Sequence, residues 1–167
     1  MPNSRKPLLP AADRTPLARL AEGPVHAIVG YQVAQAAIVT DQVFDEQMGA
    51  GGLRRVEFTI LALVEANPDV SARQLARALA VTPPNIAIWL DRLEQRGLVH
   101  RTRSDTDARV QHIRLSRAGA VLVKRATQQL LEAERTALAG LSEAERAMLV
   151  ELLHKVALAR KRAEPAG

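Results

Sequence analysis

The tightest constraint on this chain is a run of helix punctuation between residues 67 and 97. Asn67-Pro68-Asp69 reads as a turn. Ser71-Ala-Arg-Gln74 has the capping-box spacing, in which the serine hydroxyl takes an N–H three residues on and the glutamine reaches back. A short helix therefore starts there and carries Leu75, Ala76 and Leu79 inward. After Ala80-Val81 comes Thr82-Pro83, a cap followed by proline at the first helical position, where its missing N–H costs nothing. That second helix runs to about Arg96, and Gly97 sits where a left-handed C-cap is wanted. Two extended segments follow, Val99–Arg103 and Val110–Leu115, joined by the polar stretch Ser104-Asp-Thr-Asp-Ala-Arg109. They read as a small hairpin with a protruding tip.

The flanks are helical. From Pro24 to about Met48, Val29, Val33, Ala36, Thr40, Phe44 and Met48 fall near helical spacing, and Gly49-Ala50-Gly51-Gly52 ends the helix. A further helix spans about Arg54 to Ala66, with Val56, Ile60 and Leu63 on one face and Phe58 and Leu61 on another, so it is buried from two sides. Ser116 caps a long helix through Leu122, Ala126, Leu130 and Ala137. Ser142-Glu-Ala-Glu145 opens a last one with Leu149, Leu152, Leu153 and Val156 in a stripe. Aromatic residues make up only 2%, so the core is built from Ala, Leu, Val and Ile, which favours helices. Residues 1–23 are rich in proline and polar residues and are expected to form a mobile arm, although Leu17 and Leu20 could begin a short helix.

Several functions are disfavoured by what is missing. Without cysteine there is no disulfide scaffold, no thiolate-held zinc or iron–sulfur site and no thiol chemistry. No apolar run approaches the ~20 residues of a membrane span, and the start lacks a secretory h-region, so a cytoplasmic location is expected. His26, His100, His112 and His154 are scattered without a metal-ligand spacing, and no nucleophile motif or glycine-rich phosphate loop occurs. Neither a metal nor a cofactor nor enzyme activity is therefore expected.

The positive charge is concentrated. Residues 53–117 hold eleven arginines and no lysine against seven acids, whereas residues 1–52 carry a slight excess of acid. Arginine's planar fork suits phosphate and guanine edges. At 100° per residue, Ile86, Trp89, Leu90 and Leu93 share the inward face of the 82–96 helix. Pro84, Ile88, Asp91 and Gln95 lie opposite, with Ala87 at the edge. An isoleucine left facing solvent is explained by a major groove, where apolar side chains read the thymine methyl, and Asn85 could bond adenine bidentately. A single exposed apolar residue is the plain alternative. Thr82 and Arg92 are counted with this surface.

Two short helices followed by a two-stranded hairpin are the parts of a winged helix-turn-helix. Residues 71–81, Leu90-Asp-Arg-Leu-Glu-Gln-Arg-Gly-Leu-Val99, Asp107-Ala-Arg109 and Ile113-Arg-Leu-Ser-Arg-Ala-Gly119 together resemble the MarR family of bacterial transcription regulators, over about residues 24–160. The resemblance implies a mainly α fold with a small β-hairpin wing, and a homodimer holding two winged lobes over a palindromic DNA operator. The corresponding division is an arm at 1–23, a dimerisation helix and hinge at 24–52, a DNA-binding lobe at 53–117 and C-terminal dimerisation helices at 118–163. Carried over, Arg109 at the wing tip enters the minor groove, Asp107 braces an arginine, and Arg73 and Gln74 touch the DNA backbone. Arg101 and Arg103 flank the wing, either on phosphate or in solvent.

The family resemblance further implies an effector cleft between the first long helix and the winged lobe, often for phenolic or aromatic acids. His26, Tyr31, Gln35 and Arg55 are its polar candidates here, and ordinary interface duty is the alternative. The expected function is a sequence-specific repressor relieved by such an effector. The rival is a winged-helix adaptor that binds a protein partner through the same lobe.

Overall fold

The computed structural model describes residues 14–103 and 111–160. A short 3₁₀ turn, Gly23–Ala27, precedes helix α1, Val29–Met48, and Ile28 between them is extended. Then come α2 (Arg55–Ala66), β1 (Val70–Ser71), α3 (Ala72–Leu79), α4 (Pro83–Gln95), β2 (Val99–Arg103), β3 (Gln111–Leu115), α5 (Arg117–Ala137) and α6 (Glu143–Leu158). The helix expected from Pro24 thus begins at Val29. Upstream, Leu17 and Leu20 lie in a turn rather than a helix, because Ala18 and Arg19 both take left-handed φ values of 57° and 49°. That turn is closed by paired bonds between Thr15 and Leu20.

The caps form as their spacing predicts. Gln74 N–H donates to the Ser71 hydroxyl at 3.3 Å while Gln74 Oε1 accepts from Ser71 N–H at 2.9 Å, and Ser142 with Glu145 repeats the arrangement. Thr82 is the exception. It occupies the N-cap position of α4, but its side chain caps nothing. The next two residues are both proline and have no N–H to give, which leaves the hydroxyl little to accept.

The hairpin is part of a three-stranded antiparallel sheet in the order β1-β3-β2, with Val70 opposite Ile113 and Arg101 also opposite Ile113. The two-residue β1 goes beyond the two strands expected, since so short a segment carries no readable alternation. Asp69, at φ 72°, turns the chain so that β1 lies along β3.

One apolar core joins the C-terminal half of α1 (Phe44, Met48), α2 (Ile60, Leu61, Val64), α3 (Leu75, Ala76), α4 (Ile86, Leu90, Leu93), the sheet (Val99, Ile113) and α5 (Val123, Ala126, Leu130). Gly119 in the first turn of α5 lies directly against the Leu98 carbonyl, so close that a Cβ there would collide with backbone. α6 buries nothing: Leu149, Leu152, Leu153 and Val156 are all exposed, as are Val29, Val33, Ile38 and Val39 on α1. The stripe predicted on α6 is left uncovered by the described residues, whereas the one predicted on α1 divides, with Val29 and Val33 exposed and Phe44 and Met48 packed in the core.

Candidate nucleic-acid interface

The core grips α4 from one side through Ile86, Leu90 and Leu93, with Trp89 half-buried beside them. The opposite face is bare. Pro84, Asn85, Ala87 and Ile88 are exposed, Ile88 by 56%. Thr82 at the head of α4, Arg73 and Gln74 in the first turn of α3, and Arg103 at the end of β2 are exposed as well. Gln74 already spends its side-chain carbonyl on Ser71. Asp107 and Arg109 of the expected wing tip lie outside the described residues.

Two of the arginines read as DNA contacts point elsewhere. Arg92 turns toward α2, with Nη1 3.6 Å from Glu57 Oε1. Arg101 reaches from β2 to α4, placing Nη2 2.5 Å from Asp91 Oδ1 and Nη1 2.9 Å from Glu94 Oε2. The physical reason is proximity to acids that a linear reading leaves uncommitted. Charge-assisted pairs with a nearby carboxylate form before any distant polyanion arrives.

Glu57, which sequence reasoning passed over, is the buried hub of the lobe at 1% exposure. Its Oε2 accepts from Arg54 N–H at the entrance of α2 and from Arg96 Nη1, each at 3.1 Å. Arg96 also donates to the Gly52 and Gly51 carbonyls at 3.1 and 3.4 Å. The glycine hinge after α1 is thereby tied to the C-terminal end of α4. The available signal was an acid three residues into a helix, where it can accept the free N–H at the entrance. On the other flank, Arg114 of β3 pairs with Asp69.

The four effector candidates do not meet. His26 Nδ1 lies 2.5 Å from Glu22 Oε2, and Tyr31 donates its hydroxyl to Glu22 Oε1 at 3.0 Å. Glu22's side chain is only 5% exposed, and the hydrogen bond from His26 is the main cause holding its carboxyl below its ordinary value. Burial, and then Glu22 itself, push the Tyr31 hydroxyl up. Gln35 is half-buried further along α1. Arg55 stands near the other end, paired with Asp41 at 2.7 Å, donating to the Thr40 carbonyl at 2.8 Å and lying 4.8 Å over the Phe44 ring. At 1.5 Å per residue, Tyr31 and Asp41 are separated by roughly 15 Å along the helix, so the candidates divide between two places. Arg55 lines an open cleft of about 340 Å³ together with Phe44, Phe58, Thr59, Thr127, Leu130, Leu131 and Glu134. Among the described residues no group of three or more His, Asp or Glu could hold a metal ion, and no helix is long and apolar enough to cross a membrane.

A helix anchored by one face and bare on the other, preceded by a short capped helix and stapled to a small sheet, defines a winged helix-turn-helix protein. The MarR family's model matches residues 53–110. The HTH-type transcriptional regulator PecS of Dickeya dadantii is 31% identical over 127 residues, covering 74% of this chain and 76% of PecS. The chain belongs to the MarR family of transcription regulators. Among solved structures, the transcriptional repressor CouR bound to a 23-mer DNA duplex is similar with a TM-score of 0.75 and 29% identity, covering 83% of this chain and 98% of CouR. CouR from Rhodococcus jostii RHA1 bound to p-coumaroyl-CoA shares the fold at a TM-score of 0.73 and 22% identity, covering 85% of this chain and 99% of that one. Proteins of this family are generally not enzymes.

Proposed function

We propose that this protein is a dimeric, sequence-specific DNA-binding repressor, released from its operator by a small aromatic or phenolic ligand. The observation that carries the reading is the exposed face of α4, where Ile88 stands out of a helix whose other face packs into the core through Ile86, Leu90 and Leu93. That face inserts into the major groove, with Ile88 against a thymine methyl and Asn85 reaching an adenine. Arg73, Gln74, Thr82, Pro84, Ala87 and Arg103 lie along the same approach. Arg109 enters the adjacent minor groove, and Asp107 braces an arginine at the wing. Similarity to CouR, itself bound to a DNA duplex, supports this docking.

The exposed stripes of α1 and α6 supply the dimer contact, which makes 24–52 and 118–163 the dimerisation regions and 53–117 the DNA-binding lobe. Two-fold symmetry then spaces the half-sites by about 10 bp on a palindrome. The ligand occupies the cleft beside Arg55, whose floor is two aromatic rings, Phe44 and Phe58, 6.0 Å apart between centroids. Tyr31 and Gln35 belong to the N-terminal half of α1 instead, and His26 to the 3₁₀ turn that precedes it. The protein acts on DNA without catalysis, in the cytoplasm where its operator lies.

The test is fluorescence anisotropy on DNA from beside the protein's own gene, across a salt series. Affinity should fall linearly with log salt and exceed that for scrambled DNA, and Arg103→Ala should lower the slope by about 0.9. Ile88→Ala should relax base preference by about 1 kcal/mol at one thymine per half-site. A flat salt response without sequence preference would overturn the reading. Aromatic acids that occupy the cleft should raise the melting temperature and release the DNA.

A further inference from the structure

Arg101 combines features that a DNA contact does not need. It sits on β2, three residues before the wing tip begins, and its side chain is only 29% exposed. Its two terminal nitrogens engage separate carboxylates, Asp91 at 2.5 Å and Glu94 at 2.9 Å. Those acids are three apart on α4 and so lie one above the other on the same side of the helix, where a planar fork can span both. Asp91 is also one turn beyond Ile88, on the bare face. Its side chain is 54% exposed, and an uncompensated carboxylate there would stand within a Debye length of duplex phosphates.

We propose that Arg101 is a positioning residue: it ties the base of the wing to α4 and cancels the charge of Asp91, and does not itself bind phosphate. The proposal rests on the DNA-binding reading above and deepens it. With the clamp closed, β2 and the bare face of α4 approach DNA as one rigid surface. With it open, β2 loosens from α4 and Asp91 and Glu94 repel the duplex. Lysine would not substitute, because a single ammonium cannot hold both carboxylates in fixed directions.

The experiment is a double-mutant cycle read in DNA affinity and salt slope. Arg101→Met should weaken binding about tenfold with the slope unchanged, and Arg101→Lys should lose most of the same affinity. In an Asp91→Asn, Glu94→Gln background, Arg101→Met should cost less than about twofold, because Arg101 acts only through those two acids. A slope reduced by about 0.9, a near-parental Arg101→Lys, or an equal loss in both backgrounds would overturn the proposal in favour of phosphate contact. A readout without DNA separates the clamp from the function: amide exchange across 99–103 should accelerate in Arg101→Met. If the parent itself shows no salt-dependent DNA binding, the functional reading fails. Unchanged protection across 99–103 would then overturn the clamp on its own.

Discussion

Two residues show how much single side chains decide. Gly119 belongs to a motif visible in the sequence, but its reason is tertiary: its α-carbon faces the Leu98 carbonyl, which also accepts from Ser116 N–H at 3.0 Å. Gly119→Ala must push α5 off the sheet, and should destabilise the fold by about 1–3 kcal/mol, read as a lower midpoint in urea. Glu57 has the opposite profile, polar and sealed in the core. Replacing it with alanine leaves Arg92 and Arg96 facing each other without their carboxylate. Breaking a sealed buried pair costs roughly 3–5 kcal/mol. Here the arginines are 40% and 33% exposed and can be hydrated, so about 2 kcal/mol is expected. The same variant should loosen the Gly51–Gly52 hinge, seen as faster amide exchange there.

At the scale of elements, the junction between the Gly23–Ala27 turn and α1 is held by Glu22, through His26 and Tyr31. Because Glu22's carboxyl is held below its ordinary 4.5, its contribution to the junction is complete above that value. It is lost as pH falls through the lowered value, where the carboxylate takes up its proton. Protection of the amides in the first turn of α1, taken relative to their intrinsic exchange rate at each pH, should therefore fall on acidification below about pH 4.5. Glu22→Gln, which has no proton to take up, should remove that dependence. If the parent and the variant respond identically to acid, the junction does not depend on this carboxylate. The recognition pair of helices depends instead on hydrogen bonds between close neighbours, and α3 was legible to the residue for that reason. β1 was not, because a two-residue strand exists only by virtue of the partner it lies against.

The whole molecule is unfinished as a monomer. α6 shows Leu149, Leu152, Leu153 and Val156 to solvent at 38%, 50%, 43% and 56%, and the N-terminal part of α1 is similarly bare. A contiguous apolar surface on that scale marks an association face. Substituting both Leu152 and Leu153 with glutamate should give a monomer by sedimentation, with the winged lobe still folded, since no core residue lies on α6. DNA affinity should fall sharply because only one half-site is then engaged at a time. A double variant that stays dimeric would move the association face elsewhere.

The capping-box starts of α3 and α6, the packed side of α4 and the bare side opposite could be read from the chain because they depend on contiguous residues: caps reach three positions, and a helical face repeats every turn. Where the arginines go could not. Arg96 meets Glu57 across 39 positions and Arg114 meets Asp69 across 45, and nothing in the spacing of either partner announces the other. The same holds for the division of the His26, Tyr31, Gln35 and Arg55 group, which the linear reading placed in one cleft and the length of α1 separates. Local hydrogen bonding and periodicity are properties of a stretch of sequence. Ion pairing among many similar charges is a choice among alternatives, and only the packed fold makes it, by bringing one carboxylate within reach and leaving the others far away.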